Sequence, residues 1–265
     1  MSTPKTRAQA SAAPDMTAKA WDAMAADFER DVFDPTGTDL RGVFNQALRE
    51  AGRCELAVDF GCGTGRLLPR LAKQAERVVG IDFSGELLEL ARERTADEAR
   101  IETFQADLTK PLRKPRDADL VTCVNVLLTP DENARRTILR NCRGTLRTGG
   151  TLVLVVPSLE SALWVIDRHL AWNRREGLTG AAQFRGALET GTAATRLLAR
   201  GVIDQGGSLT QHFLRESITE ELLGLGLRPN SIGRVEYAWD DYFYDPPRLL
   251  GKQRPWDWVV SAVRT

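Results

Sequence analysis

The stretch that decides how this chain is interpreted is Val58-Asp59-Phe60-Gly61-Cys62-Gly63-Thr64-Gly65-Arg66-Leu67-Leu68. It begins with apolar residues typical of a buried strand, passes through an acid and three alternating glycines, and ends in an apolar pattern typical of a helix. Glycine adopts backbone angles that other residues avoid, and it lets a ligand approach the main chain closely. The sequence therefore predicts a strand, a tight turn and a helix, with a nucleoside-binding site at the turn.

The spacing of the glycines disfavours a pyrophosphate-binding dehydrogenase, although such an enzyme shares the same kind of sheet. The dinucleotide pattern G-x-G-x-x-G would require a small residue at position 66, where the pyrophosphate meets the helix. That position holds Arg66, and the third glycine, Gly65, comes one residue earlier.

Four further segments, either continuously apolar or alternating, predict the remaining strands of a parallel sheet. The second strand ends in Asp82, 23 residues after Asp59, where a ribose-binding acid belongs in a strand-helix-strand unit. The four segments are residues 77–84, 101–108, 119–128 and 151–157.

The pattern D-x-G-x-G-x-G, the acid after strand two and the triplet Ala106-Asp107-Leu108 after strand three occur in this order along the chain. Together they resemble the motifs of the class I, Rossmann-like S-adenosylmethionine-dependent methyltransferases, over roughly residues 55–158. The resemblance implies S-adenosyl-L-methionine as the cofactor, with Asp82 on the ribose, Asp107 on the adenine amino group and Leu108 against the ring. The other cofactor-binding residues that it implies are Asp59, Gly61, Cys62, Gly63, Gly65, Phe83 and Asn125.

The resemblance also implies an α/β fold: a Rossmann-like, seven-stranded, mostly parallel sheet with helices on both faces. An antiparallel hairpin is expected at the C-terminal edge of the sheet, and a helical insertion after strand five. Residues 1–14 lack an apolar core and are expected to be a disordered tail, followed by one methyltransferase domain over residues 15–265. Its expected parts are N-terminal cap helices (15–50), a cofactor-binding core (54–158), a substrate-side insertion (159–215), and a C-terminal helix with edge strands (216–265).

An amphipathic segment precedes the core. Trp21, Met24, Phe28 and Val32 fall on one helical stripe, so this stripe should pack on another part of the molecule. The segment is similar to the N-terminal helix that covers the cofactor in many small-molecule methyltransferases. An ordinary amphipathic helix lying on the sheet is the alternative.

The insertion after strand five should lie above the crevice in which a doubly wound sheet binds its ligand. Residues 159–176 and 181–200 predict helices, and residues 201–213, broken by Gly206-Gly207, predict a hairpin. We expect the acceptor pocket to form from this insertion and from the aromatic loop 240–248, with a satellite hydrophobic core as the alternative. The candidate acceptor-binding residues are Trp164, His169, Trp172, Tyr242 and Tyr244.

Methyl transfer from a sulfonium is an in-line displacement of an activated group, so positioning supplies much of the rate. A base is needed only if the acceptor carries a proton, and His212 is the candidate, with a structural histidine as the alternative. The four cysteines form no metal-binding pattern, which predicts a metal-free, cytoplasmic protein. Cys62 is interpreted as a small residue beside the ligand, and a reactive thiol is its alternative.

Composition limits the choice of acceptor. The chain of 265 residues has 36 basic and 36 acidic side chains, so it offers no overall basic field for nucleic acid. No segment reaches the ~18 to 20 apolar residues of a membrane helix. The sequence therefore predicts a small-molecule methyl acceptor, modified on O, N or S. Two alternatives stay open: a catalytically silent cofactor-binding partner protein, and a protein or RNA methyltransferase.

Overall fold

The computed structural model describes residues 18–32, 34–188, 190–204 and 208–265. The expected tail at residues 1–14 and the glycine pair Gly206-Gly207 lie outside these ranges. Among the helices within them, none is both long enough and apolar enough to cross a membrane.

Seven strands form one sheet in the order β3-β2-β1-β4-β5-β9-β8. Strands β1 to β5 pair in parallel, whereas β9 runs antiparallel to both β5 and β8. The Rossmann-like sheet predicted with an antiparallel edge hairpin is therefore confirmed. The strands of this sheet are β1 Cys54–Phe60, β2 Ala75–Asp82, β3 Ile101–Gln105, β4 Ala118–Val124, β5 Leu146–Pro157, β8 Leu227–Glu236 and β9 Trp256–Arg264.

Helices flank the sheet and cover its carboxyl edge. The described helices are α1 Ala18–Met24, α2 Phe28–Asp31, α3 Val43–Glu50, α4 Leu68–Leu71, α5 Gly85–Arg94, α6 Glu132–Thr145, α7 Leu159–Arg175, α8 Thr192–Ala199, α9 Arg215–Gly224 and α10 Trp239–Tyr242. Short 3-10 segments occur at Ala25–Asp27, Gly180–Phe184 and Arg248–Leu250.

The central strands are mostly apolar because both faces of the sheet are covered. Successive side chains of a strand point to opposite faces. On β4, Val121 accordingly packs in one hydrophobic core and Leu120 in the other, and Leu152 and Val153 of β5 divide in the same way. The alternation therefore gives each face of the sheet an apolar surface on which helices pack.

The insertion after β5 contains the predicted helix α7 and the predicted hairpin, but the helix expected over residues 181–200 is wrong. The described residues of that stretch form a 3-10 turn and the short α8, since Gly186 and Gly191 adopt positive φ angles of 71° and 121°. The hairpin pairs β6 Val202–Asp204 with β7 Leu209–Gln211.

Strand order reverses between β1 and β4, because the chain passes from β1 to β2 on one side and reaches β4 on the other. Open α/β sheets bind ligands at this switch point, outside the carboxyl ends of the strands. The insertion is tied to the same edge: the Phe213 amide donates to the Pro157 carbonyl at 2.8 Å, and the Leu159 amide donates to the Phe213 carbonyl at 3.0 Å.

Candidate active site

A cavity of about 750 Å³ lies at the carboxyl ends of the parallel strands. Its wall includes Asp59 at the end of β1, Asp82 at the end of β2 and Pro157 at the end of β5. Ligand sites in proteins usually measure ~300–1,000 Å³. This cavity therefore has room for a nucleoside and a second small molecule.

The glycine loop forms one side of the cavity. Gly61, Gly63 and Gly65 have φ angles of 70°, 52° and 75°, a region in which residues with a Cβ are strained. A Cβ on Gly61 would overlap the Val126 side chain, and one on Gly63 would lie 3.1 Å from the Phe28 ring. Both glycines line the cavity, so the backbone is exposed to a ligand there.

Gly65 differs from the other two loop glycines. A Cβ at this position would lie 2.9 Å from the Cβ of Ala91 on α5. Gly65 therefore allows α5 to pack closely against the loop. It does not line the cavity, so the cofactor contact implied for it stays a prediction. Its signal in the sequence is the same as that of a ligand-binding glycine, since both require the absence of a side chain.

Asp82 organises the glycine loop. Its Oδ2 accepts from the Gly63 amide and its Oδ1 from the Ser84 amide, each at 2.9 Å. Burial raises the pKa of this carboxyl, which is 5% exposed, and the backbone hydrogen bonds oppose that rise without cancelling it. Asp82 lines the cavity together with Phe83, in a position that fits the implied ribose contact.

Asp59 lies on the neighbouring strand and is 3% exposed. Burial raises the pKa of Asp59 to about 7, and the charge of Asp82 raises it as well. A hydrogen bond from the Thr122 hydroxyl, at 2.6 Å, acts in the opposite direction. A cationic ligand would favour the ionised carboxylate, since an opposite charge stabilises it.

Cys62 is a packing residue of the loop. Its thiol fills the space beside Gly80, where an added Cβ would meet the sulfur at 2.9 Å. Burial raises the thiol pKa well above its usual range, and the charges of Asp82 and Asp59 raise it further. Nucleophilic thiols need the opposite shift, so the geometry supports the interpretation of Cys62 as a small residue beside the ligand.

The two residues expected at the adenine lie apart from this wall. Asp107 Oδ1 accepts from the Thr109 amide at 2.9 Å and the Thr109 hydroxyl at 2.6 Å, and its Oδ2 pairs with Lys110 at 3.1 Å. The Leu108 side chain packs in the hydrophobic core, and its contact with the adenine ring stays a prediction. The adenine contact of Asp107 remains a prediction.

The N-terminal stripe faces the cavity. Trp21, Met24, Phe28 and Val32 all line it, and the rings of Trp21 and Phe28 lie 5.8 Å apart. Asp22 fixes the helix in place, because its Oδ1 accepts from the Ser84 hydroxyl at 2.5 Å at the start of α5. The geometry therefore favours a cover over the cofactor site and not a helix on the sheet surface.

Arg66 joins this cover to the glycine loop. Its guanidinium lies 3.3 Å from Glu29 Oε1 and 3.6 Å from Asp34 Oδ2. Glu29 also accepts from the Thr64 hydroxyl at 2.9 Å. The residue that disfavours a pyrophosphate in the sequence thus has a structural use, which is to pair with acids of the N-terminal segment.

Three of the expected acceptor residues do not lie on the cavity wall. Trp164 packs against the main core with the Arg168 guanidinium 4.6 Å from its ring centroid. His169 is buried with its ring 5.2 Å from that of Phe243, and Trp172 packs in the same small cluster. Helix α7 thus presents Trp164 to the main core, and His169 and Trp172 to the small cluster around Phe243, where the satellite-core alternative fits. A contact of these three side chains with the acceptor stays a prediction. Tyr242 and Tyr244 do line the cavity.

The candidate base, His212, lines the cavity and is 5% exposed. Burial lowers its pKa to about 4, and the Thr210 carbonyl, 3.1 Å from its Nδ1, opposes that shift only in part. A ring with so low a pKa is a weak proton acceptor near neutral pH. The position of His212 therefore fits a ligand contact better than a general base.

A second set of polar side chains lines the same cavity, and we call it the Asp257 wall. It is centred on Asp257, the second residue of β9, which is 6% exposed. The carboxyl accepts hydrogen bonds from the Asn125 side chain, the Ser158 backbone amide and the Tyr237 hydroxyl. Burial raises its pKa to about 7, and these three hydrogen bonds limit the rise.

Comparisons with known proteins match the part of the chain that carries the glycine loop. Residues 57–150 match a family model described as a methyltransferase domain. Over this segment the chain is similar to that methyltransferase domain family. The N-methyltransferase NodS of Bradyrhizobium japonicum, solved with S-adenosyl-l-homocysteine, shares the methyltransferase fold with a TM-score of 0.60, covering 94% of this chain and 99% of that one at 17% identity.

Sequence relatives show how far the likeness extends. A ubiquinone biosynthesis O-methyltransferase of Xanthomonas campestris is 33% identical over 100 residues, which are 37% of this chain. The match spans 41% of that relative, less than half its length. An uncharacterized methyltransferase of Mycobacterium tuberculosis is 27% identical over 188 residues, covering 70% of this chain and 86% of the relative.

The cofactor of this family, S-adenosyl-L-methionine, suits the residues present. Two buried carboxylates, Asp59 and Asp82, face the cavity, and acids are suited to ribose hydroxyls and to cationic groups. The bare backbone at Gly61 and Gly63 allows the close approach that a nucleoside requires. Within the described ranges, no group of three or more His, Cys, Asp or Glu side chains could hold a metal ion.

Sequence reasoning missed the Asp257 wall. It expected the functional acids at the carboxyl ends of parallel strands, whereas Asp257 stands at the beginning of an antiparallel strand, opposite Pro157 of β5. A strand that runs the other way brings its first residues to the same edge. The signal available in the sequence was an acid flanked by two tryptophans, Trp256 and Trp258.

Proposed function

We propose that this methyltransferase transfers a methyl group from S-adenosyl-L-methionine to O, N or S of a small molecule. The observation that carries the proposal is that one cavity is bounded both by the glycine loop and by the Asp257 wall. A cofactor held at the first wall would present its methyl group toward the second.

Several features of the cavity favour a small acceptor over a macromolecule. The N-terminal segment covers the glycine loop through Asp22 and Glu29, and Tyr242 and Tyr244 line the cavity from the C-terminal side. With cover on two sides, the cavity of about 750 Å³ has the size of a small-molecule site. The equal numbers of acidic and basic side chains also provide no general attraction to RNA.

The chain contributes binding, orientation and exclusion of water. Asp82 and the glycine loop would hold the nucleoside, while Asp59 would balance positive charge at the switch point. The covering side chains Trp21 and Phe28 would keep water from the reacting atoms. When bound, the cofactor supplies an activated methyl group, so alignment of the two reactants can contribute ~7–11 kcal/mol toward the barrier in favourable cases.

The test is incubation of the full chain with S-adenosylmethionine labelled in the methyl group and, separately, with the metabolite, protein and RNA fractions of a cell extract. We expect label in a small-molecule fraction, with loss of that label in Asp82→Ala and parental labelling in Asp240→Asn, an exposed acid near the cavity. Binding of S-adenosylhomocysteine without labelling of any fraction would instead mean a silent cofactor-binding protein. Label found only in protein or RNA would contradict the small-molecule acceptor.

A further inference from the structure

The cavity is strongly acidic. Its only guanidinium among the described lining residues, Arg66, is already paired with Glu29 and Asp34. The carboxyl groups that line it are Glu29, Asp34, Asp59, Asp82, Asp241 and Asp257. Such a surface attracts cations and disfavours a second anion, because like charges in a buried site repel one another.

Two hydrogen-bond acceptors stand together on the Asp257 wall. The Asn125 side chain donates to the Asp257 carboxyl, which leaves the amide oxygen of Asn125 as the free end of that side chain. This Oδ1 is buried and has no hydrogen-bond partner among the residues that the structure describes. Asn125 is held in this place by an unusual backbone conformation, with φ at +51°. An unpartnered buried acceptor beside a carboxylate calls for a ligand with more than one N–H donor.

Aromatic rings complete the surroundings of the carboxylate. The Tyr237 hydroxyl donates a hydrogen bond to Asp257. Burial raises the pKa of Tyr242 to about 12, and the nearby charge of Asp257 contributes to that rise. Both tyrosines line the cavity. Ring faces attract cations, and they add to the attraction of a carboxylate.

We propose that the acceptor is a small molecule carrying an aliphatic amine, and that Asp257 binds its ammonium group and removes one proton from the nitrogen before methyl transfer. This inference rests on the proposed function and names the acceptor class and the catalytic base for it. It gives the Asn125 amide oxygen the role of a second acceptor for the same ammonium.

The steps balance in atoms and charge. Asp257 takes a proton from R–NH3⁺, which yields R–NH2 and a neutral carboxyl group. The nitrogen lone pair then forms a bond to the methyl carbon as the carbon–sulfur bond breaks, and the electron pair of that bond stays on sulfur. The products are R–NH2CH3⁺ and S-adenosylhomocysteine, and Asp257 later releases its proton to solvent.

The same geometry disfavours an alcohol or a phenol. An alkylammonium and a phenol both have a pKa of about 10, so the proton is equally hard to remove from either one at first sight. The ammonium, however, is a cation in an acidic cavity and is bound there before it reacts. A phenolate formed by the same proton transfer would be an anion in a cavity that other carboxyl groups line, among them Asp82 and Asp241, and burial would increase the repulsion.

The experiment screens labelled S-adenosylmethionine against a panel of primary amines, each matched with the alcohol that carries a hydroxyl in place of the amino group. We expect label in amines and none in the matched alcohols. For the best amine, Asp257→Asn should lower kcat/KM at least tenfold while S-adenosylhomocysteine affinity, measured by calorimetry, changes by less than twofold. Asn125→Leu should raise the KM for the amine, and Asp240→Asn is the matched control with parental kinetics.

The outcomes separate this inference from the proposed function. Transfer to alcohols but not amines, or parental kcat/KM in a folded Asp257→Asn variant, would overturn the amine acceptor while leaving methyl transfer in place. Label that enters only metabolites without an amino group would do the same. Failure of the parent protein to bind S-adenosylhomocysteine would instead remove the proposed function itself. If Asp257→Asn does not fold, Tyr237→Phe serves as the second variant, with reduced kcat/KM expected for amines and unchanged kcat/KM contradicting the inference.

Discussion

The two walls of the cavity are built in different ways. The glycine-loop wall comes from two stretches close in sequence, and Asp82 fastens it through main-chain amides of Gly63 and Ser84. The Asp257 wall gathers distant parts of the chain, from Asn125 to Asp257, mostly through side chains. A wall formed by the backbone of one short loop requires particular residues at fixed spacing, so it is recognisable as a sequence motif. A wall formed by side chains from distant positions can be built from many different sequences. The difference teaches that a cofactor site can be found by pattern while an acceptor site must be found by geometry.

The largest expected effect concerns the acids of both walls. Asp59 and Asp257 each have a pKa of about 7 in the folded protein, far above the usual value near 4 in an unfolded chain. As the pH rises, the unfolded chain therefore loses these protons at a lower pH than the folded protein does. The stability that each carboxyl contributes is complete below about pH 4 and is lost as the pH rises through 7.

We expect the cofactor-free protein to lose free energy of unfolding between pH 4 and pH 7, by up to about 4 kcal/mol for each of these acids. Urea unfolding at several pH values measures the loss. Asp257→Asn should remove about half of the pH dependence that the two acids cause. An identical pH slope in the parent and in Asp257→Asn would show that burial does not raise the pKa of Asp257.

A second prediction tests the backbone-anchored wall. Asp82→Ala removes the acceptor of two loop amides and the implied ribose contact, so S-adenosylhomocysteine affinity should fall ten- to a hundredfold, each charge-assisted bond contributing ~1.5–3 kcal/mol. Calorimetry provides the measurement, with Asp240→Asn as the control of equal charge change. Parental affinity in a folded Asp82→Ala protein would refute the ribose assignment.

A third prediction compares an aromatic residue of the cavity with one outside it. Tyr242→Leu should raise the acceptor KM about fivefold through loss of a ring face worth ~1 kcal/mol, and leave cofactor affinity within twofold. Trp172→Leu should lower the melting temperature without changing KM per folded molecule, since Trp172 packs in the small cluster around Phe243. The reverse pattern would return Trp172 to the acceptor site.

The smallest effect is expected at Asp107. Its carboxylate is already engaged by Thr109 and Lys110, so an added bond to the adenine would be exposed and weak. Asp107→Ala should lower S-adenosylhomocysteine affinity about threefold, in line with a partly exposed hydrogen bond of ~0.5–1 kcal/mol. Unchanged affinity together with a lower melting temperature would identify Asp107 as a turn residue only.

The accuracy of the sequence predictions follows the range of the interactions involved. Strands and the glycine turn depend on the local pattern of apolar residues, and these predictions are confirmed to within a few residues at the ends. The helix over residues 181–200 was wrong because Gly186 and Gly191 break it, a local signal that the prediction overlooked. Trp164 and Trp172 were placed at the acceptor because sequence gives their element but not the direction in which α7 presents them.

The sequence by itself determined the parallel core, the glycine loop and the resemblance to a methyltransferase domain, because each depends on residues near one another in the chain. Only the tertiary structure decided which side chains oppose that loop. Asp257 reaches the cavity because β9 runs antiparallel to β5 and begins where the parallel strands end. His212 and Asp257 are both buried, yet burial lowers the pKa of the imidazole and raises that of the carboxyl. The physical reason is that burial disfavours the charged form of each group, and only the folded chain sets how deeply each is buried.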